Sequence, residues 1–180
     1  TRVYALSALI LPNGHLFFVD THLTVDPTPE QIADMTLLAA EQIRAFGIAP
    51  KAALLSHSSF GASGAPGAAK MRAALKLLRA KQPDFEVDGE MHADAALVPA
   101  IRARAVPDSP LTDAANLLVM PDLDSANIAF NLLKAAAEGL QVGPILLGMA
   151  KPIHVLVPSV TARGIVNMTA LAAAQANGLK

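Results

Sequence analysis

The sequence predicts an α/β fold, a three-layer α/β/α sandwich with a mostly parallel central sheet and an N-terminal hairpin. Two observations lead to this prediction. Short apolar runs alternate with segments of helical periodicity along most of the 180 residues, which is typical of β-α-β units. The chain opens, however, with two β-prone runs separated by Asn13-Gly14, a common hairpin signal. No repeat or clear linker interrupts the pattern, so we predict one domain over residues 1–180.

The first elements carry the clearest local signals. Val3–Leu11 and His15–Asp20 are the two strands of the hairpin, and we expect a type I′ turn at Asn13-Gly14 and a position at the edge of the sheet. Thr28-Pro29-Glu30-Gln31 is a capping box with proline in the first helical turn, and Gly47 is a C-terminal stop. These signals predict a helix over about 29–46.

The remaining elements follow from periodicity. The sequence predicts strands at 51–56, 85–90, 117–120 and 143–147, and helices near 65–81, 93–104, 125–138 and 161–176. Asp124 or Ser125 is the expected N-cap of the third long helix. In the helix near 65–81, Arg72, Lys76 and Arg79 fall on one narrow side, which predicts a solvated face.

Composition narrows the class of function. The chain is 53% hydrophobic and 16% charged, with a mean hydropathy of +0.41, and this apolar bias favours an interface. A net charge of −1 gives no electrostatic reason to bind nucleic acid or an anionic membrane. No apolar run is long enough to span a bilayer. The absence of cysteine excludes disulfides and a thiol nucleophile and is consistent with a cytoplasmic location.

Two stretches invite chemical interpretations. Ser56–Gly67 lies between a strand and a helix, where α/β folds place ligands, but it is neither a P-loop nor a nucleophile elbow. A serine nucleophile paired with His57 and a plain glycine-rich connector both remain open. Residues 86–94 carry acidic or histidine side chains at alternate positions, which could hold a metal ion or serve only in capping and hydrogen bonding.

Three motifs, in order, carry a family resemblance: "VDGEMHADAAL", "NLLVMPDLDSANIAFNLLK" and "VGPILLGMAKPI". They closely resemble the second half of the phosphate acetyl/butyryltransferase family. The resemblance implies an isocitrate dehydrogenase-like fold, built from two α/β lobes around a cleft. This chain would be the second lobe, which mediates dimers in that family, together with the C-terminal helix. The first lobe would be absent.

The resemblance also implies where catalytic residues would lie. Active family members carry a serine and an arginine that hold the substrate and an aspartate that acts as a base toward the coenzyme A thiol. Aligned without gaps, these positions fall on Val157, Pro158 and Gly164. None of the three can supply the lost cation or base, and one lost transition-state contact typically costs about 3–4 kcal/mol. We therefore expect this chain to have no catalytic residues of its own.

The segment "AKPIHVLVPS…RGIVNMTALA" resembles the C-terminal phosphotransacetylase-like domain of bacterial multidomain NADP-dependent malic enzymes. The resemblance implies an absent N-terminal part that converts malate to pyruvate with NADP and Mg²⁺ or Mn²⁺, and it implies a homodimer or higher oligomer. No cofactor or metal is expected in this chain, with acetyl-CoA as its effector. Two alternatives stay open: an active phosphate acetyltransferase, and a ligand-free dimerisation module. The candidate ligand-binding residues are Gly148, Lys151, His154, Ser159 and Arg163.

Overall fold

The computed structural model describes residues 2–156, 158 and 160–178. Their six strands are β1 (Tyr4–Leu11), β2 (Gly14–Val19), β3 (Lys51–Leu55), β4 (Glu86–Met91), β5 (Leu117–Val119) and β6 (Leu140–Leu147). The helices are α1 (Pro29–Ala45), α2 (Pro66–Ala80), α3 (Ala93–Leu97), α4 (Pro99–Ala105), α5 (Leu123–Ala136) and α6 (Ala162–Ala176). Every predicted element is present, except that the helical region near 93–104 is two short helices separated at Val98-Pro99.

The strands form one mixed sheet in the order β4-β3-β5-β2-β1-β6. The pairs β3–β4, β3–β5 and β2–β5 are parallel, whereas β1 runs antiparallel to both β2 and β6. The predicted edge position of the hairpin is wrong, because β6 pairs with the outer side of β1. Six of the eight residues of β1 are buried, and β6 covers a strand that would otherwise expose an apolar edge.

The hairpin turn also differs from the prediction. Leu11 pairs with Gly14, so Pro12 and Asn13 form the two-residue loop. The proline ring fixes φ near −65°, which is incompatible with the positive φ that a type I′ turn needs at its first central residue. The positive φ falls instead on Gly14, at 143°.

Helices cover both faces of the sheet, which confirms the layered α/β sandwich. Alternate strand residues point to opposite sides: Phe17 and Val19 of β2 join the core beneath α1, α2 and α6, while Phe18 joins the core beneath α3 and α5. On the second side Phe18 and Phe130 of α5 meet edge to face, with ring centroids 5.5 Å apart. The sheet is therefore buried on both faces.

Side-chain caps fix the helix starts. The capping box of α1 is confirmed, since Thr28 accepts from the amide of Gln31 while Gln31 accepts from the amide of Thr28. The N-cap of α5 is Asp122, not Asp124 or Ser125: Oδ1 of Asp122 accepts from the Ser125 amide at 2.8 Å. Thr161 caps α6 by accepting from the amide of Gly164 at 3.1 Å.

Candidate functional site

The segment between β6 and α6 lies between two cavities. The α1 cavity, about 380 Å³, is formed by α1, the end of β6 and the C-terminal part of α6. The α6 cavity, about 230 Å³, is formed by the start of β6, the segment before α6 and the first turn of α6. The two cavities are therefore at opposite ends of both β6 and α6.

Two candidate ligand-binding residues, Gly148 and Lys151, line the α1 cavity. Gly148 has a φ of +79°, and a Cβ there would collide with the carbonyl oxygen of Arg2. Glycine is thus required at this position by both backbone conformation and space. Lys151 is exposed, so its ammonium group is accessible to an anion from solvent.

The other candidates are in different places. His154 accepts from the main-chain amide of Leu146 at 3.4 Å and contacts Oε1 of Gln175 at 2.8 Å, which anchors the connecting segment to α6. Arg163 is exposed on the first turn of α6. Ser159 lies outside the described residues. The structure thus brings Gly148 and Lys151 together and leaves Arg163 at the other end of α6.

One of the positions matched to the family's catalytic residues, Gly164, lies at the α6 cavity. A Cβ at Gly164 would lie 2.7 Å from Cγ2 of Val160. Pro158 is exposed in the segment before α6, and Val157 lies outside the described residues. An acidic side chain could replace Gly164 only if Val160 moved.

The glycine-rich connector after β3 forms a buried polar contact with β4. Oε1 of Glu90, a fully buried residue, accepts from the Ser58 hydroxyl and from the Gly61 amide, both at 3.0 Å. The ring of His57 contacts Ser63 at 3.3 Å, not a serine of the 56–59 run. The serine–histidine pairing is therefore not formed among the described residues, and Ser58 has a structural role.

The acidic row on β4 is occupied by basic and hydroxyl side chains. Arg72 and Arg79 pair with Glu90 and Asp88, each at 2.8 Å, and both carboxylates are buried. The predicted solvated face of α2 is confirmed for Arg79, which stays exposed while it pairs with Asp88, but Arg72 is half-buried beside Glu90. Burial alone would raise the pKa of Glu86, but hydrogen bonds from Thr112 and the nearby Lys51 lower it overall.

A third buried carboxylate, that of Asp20, organises the loop after β2. Asp20 accepts from the amides of Ala5, His22, Leu23 and Thr24 at 3.1–3.2 Å. Nδ1 of the following His22 contacts Oγ1 of Thr21 at 2.7 Å. Burial lowers the pKa of His22, Lys134 lowers it further, and Asp20 opposes both.

Three contributors to this architecture were missed by the sequence interpretation. Gln42 lines the α1 cavity, and Tyr4 lines a neighbouring cavity of about 420 Å³. Arg102 is only 2% exposed and donates to four main-chain carbonyls. An amphipathic arginine carries no sequence signal for burial, and the neighbours of Gln42 are distant in sequence.

Two findings concern other classes of site. Over residues 2–156, 158 and 160–178, no three His, Asp or Glu side chains are grouped so that they could hold a metal ion. In the same part of the chain, no helix is long and apolar enough to cross a membrane.

Comparison with known proteins places this geometry in a family. The family model for phosphate acetyl/butaryl transferase matches residues 2–173. The chain belongs to the phosphate acetyl/butaryl transferase family. A phosphotransacetylase from Streptococcus pyogenes superimposes with a TM-score of 0.93 at 34% identity, over 99% of this chain and 55% of that one. The α/β fold of this chain is thus shared with about half of a solved phosphotransacetylase.

Within the phosphate acetyl/butaryl transferase family, sequence similarity is unequal. The NADP-dependent malic enzyme of Salmonella typhimurium is 54% identical over 96% of this chain, which spans 23% of that protein. The phosphate acetyltransferase of Paracoccus denitrificans is 42% identical over 90% of this chain, which spans 51% of that protein. The chain therefore corresponds to one part of a longer polypeptide in each relative.

Proposed function

We propose that the chain is a regulatory and assembly domain of an NADP-dependent malic enzyme, senses acetyl-CoA and has no transferase activity of its own. The observation that carries the proposal is the identity of 54% to a malic enzyme, against 42% to a phosphate acetyltransferase. Oxidative decarboxylation of malate, with NADP and Mg²⁺ or Mn²⁺, belongs in this proposal to the rest of the polypeptide. We also assign the parent protein to the cytoplasm and to a homodimer or higher oligomer.

Loss of transferase chemistry is supported by two described positions. Pro158 and Gly164 replace the arginine and the aspartate that the family resemblance implies, and neither can hold a charge or accept a proton. The Val160 methyl group further occupies the space that a side chain at position 164 would need. A scaffold retained without these groups is suited to binding and assembly.

The first experiment measures NADPH formation from malate by the longer parent protein, with and without acetyl-CoA, at saturating NADP and metal. We expect a reproducible change in rate, and we expect Lys151→Met and Arg163→Met to weaken the response. Lys76→Met, an exposed lysine substitution on α2, is the matched control and should leave the response intact. An unchanged rate and no acetyl-CoA binding at millimolar concentration would refute the sensing role.

A second experiment addresses transferase activity. Acetyl phosphate formation from acetyl-CoA and phosphate should be undetectable for the parent protein. The double substitution Val160→Ala with Gly164→Asp restores an acid and makes room for it, but activity should stay absent because Pro158 supplies no cation. Activity in the unmodified protein, lost on Arg163→Ala, would instead establish a working transferase.

A second candidate function, a pure assembly module, is favoured by the outer surface of α5. Ile128 and Leu132 on this helix are 64% and 69% exposed. Val25, in the loop between β2 and α1, accepts from the amide of Leu123 at the start of α5 and is 69% exposed. Isolated monomers seldom present such apolar residues together. Sedimentation of the parent carrying Ile128→Glu and Leu132→Glu should show smaller assemblies. Intact assembly in this variant would argue against α5 as the interface.

A further inference from the structure

A chain of hydrogen bonds, which we call the relay, connects β6 to α1. The donor and the acceptor of each bond in the relay can be assigned. The main-chain amide of Leu146 can only donate, so Nδ1 of His154 must accept at 3.4 Å and the imidazole proton must be on Nε2. Nε2 then donates to Oε1 of Gln175 at 2.8 Å. The amide nitrogen of Gln175 in turn donates to Oε1 of Gln42 at 2.7 Å.

The far end of this relay is a donor without an acceptor. Nε2 of Gln42 is buried and has no hydrogen-bond partner among the described residues. Since the relay fixes Oε1 of Gln42 as the acceptor from Gln175, the amide cannot be turned over without breaking the preceding bond. Buried polar groups in native proteins nearly always have partners. The missing partner at Gln42 is therefore a hydrogen-bond acceptor.

A second unpartnered group lies in the adjoining space. Tyr4 is 1% exposed, and its buried hydroxyl makes no hydrogen bond of normal geometry with the described residues. Burial raises the pKa of this hydroxyl, and the nearby side chain of Arg2 opposes the rise. Tyr4 lines a cavity of about 420 Å³ with Arg2, and this cavity shares Leu38 and Gly148 with the α1 cavity. We call these two adjoining cavities together the α1 groove.

The α1 groove has the size and charge of a small-molecule site. Asp34 lines one of its two cavities and Gln42 lines the other. These residues are eight positions apart on α1, so the groove extends about 12 Å along the helix. Arg2 and Lys151 contribute positive charge, and Glu41 contributes negative charge. Asp34 is neutralised by Lys81 of α2, at 3.1 Å. The remaining balance is positive, and the volumes are typical of ligand pockets.

We propose that the α1 groove binds a small organic anion whose oxygen atoms accept hydrogen bonds from Gln42 and from Tyr4, with Lys151 and Arg2 balancing its charge. The chemistry fits a dicarboxylate or a phosphoryl compound, because both present anionic oxygens separated by a short spacer. The groove is at the opposite end of α6 from Gly164. The proposal thus holds whether or not acetyl-CoA is the effector.

The test is calorimetric titration of the 180-residue chain with succinate and, separately, with pyrophosphate. We expect at least one of them to saturate in the millimolar range or below. Binding of succinate alone identifies a carboxylate site, binding of pyrophosphate alone identifies a phosphoryl site, and binding of both identifies a general anion site. Binding of neither at millimolar concentration overturns the proposal, since the two groups would then be satisfied by water alone.

Three variants assign the binding to the groove. Gln42→Glu keeps an oxygen for Gln175 but replaces the free amide with a negative oxygen, and it should raise Kd about tenfold or more. Gln31→Glu makes the same change on the same helix, outside the groove, where it retains the capping-box acceptor; Kd should stay within about twofold. Tyr4→Phe removes a hydroxyl that makes no hydrogen bond of normal geometry with the described residues, so folding should be unimpaired while Kd rises severalfold. Unchanged Kd values in both Gln42→Glu and Tyr4→Phe would overturn the proposal.

Discussion

Arg72 of α2 and Glu90 of β4 meet at 2.8 Å, between Nη1 and Oε1, and the glutamate is fully buried. Oε1 also accepts from Ser58 and from the Gly61 amide, so a single oxygen joins a helix, a strand and a loop. Because a buried carboxylate is costly without such partners, this contact holds α2 and the glycine-rich connector against the open edge of the sheet.

Replacing Arg72 with methionine should destabilise the chain by about 2 kcal/mol. The long apolar stem is largely preserved, while Glu90 loses its charged donor and keeps two neutral ones. The measurement is urea unfolding followed by circular dichroism. Lys76→Met, one turn along the same face of α2, should change stability by less than about 0.5 kcal/mol. Similar losses in the two variants would contradict a specific role for the ion pair.

Arg102→Lys should be among the more damaging conservative substitutions in the chain. The guanidinium donates to the carbonyls of Ala95, Ala96, Leu111 and Asp113 at 2.7–3.2 Å, and so ties two short helices to the following loop. A lysine ammonium cannot reproduce this planar fork, so we expect a loss of about 2–3 kcal/mol.

The control is Arg104→Lys, the same change at an exposed position of the same helix, which should be nearly neutral. Hydrogen exchange should show faster opening of residues 93–115 in Arg102→Lys. An unchanged exchange pattern would mean that packing alone holds this region.

His22 should make the fold sensitive to mild acid. Burial lowers the pKa of the native imidazole, so the unfolded chain binds a proton more readily. Stability is therefore fully present above about pH 6.5 and declines as the pH falls from there toward the native pKa. His22→Gln removes the titrating group, and its unfolding midpoint should fall less steeply with acid than that of the unmodified chain. Parallel curves would show that His22 makes no contribution.

Gly164 and Val160 should show strong coupling. Replacing glycine with alanine within a helix normally raises the free energy of unfolding by up to about 1 kcal/mol. At position 164, however, the added Cβ would lie 2.7 Å from Cγ2 of Val160. Gly164→Ala should thus fail to stabilise the chain, whereas Gly164→Ala combined with Val160→Ala should recover the gain. A double-mutant cycle of thermal unfolding should give a coupling of about 1 kcal/mol. Additive effects would mean that the segment before α6 moves aside freely.

Local chemistry accounts for what could be predicted. The capping box at Thr28 and the Asn13-Gly14 signal depend on residues within a few positions, and they identified α1 and the hairpin correctly. The exact turn was wrong because the signal ignored Pro12. The edge position was wrong because the partner of β1 is β6, more than a hundred residues away in sequence.

The candidate site likewise contains residues that a local motif marks and polar contacts between residues distant in sequence. The glycine at position 148 and the lysine at 151 belong to a motif that sequence comparison can detect. The relay from Gln175 to Gln42 spans 133 residues, and glutamine is common on helix surfaces, so no local pattern marks either residue. Arg79 is exposed as expected, but its pairing with Asp88 was not predicted, because that partner is on a different element.

The position of β1 between β2 and β6 has a consequence for synthesis on the ribosome. β2 is available to β1 almost at once, but the residues that pair with Tyr4–Leu6 are Ile145–Leu147, which emerge about 140 residues later. At typical translation rates this delay is on the order of ten seconds. During that interval one edge of β1 lacks its partner strand. The nascent chain can therefore pair with other chains through this edge until β6 leaves the exit tunnel.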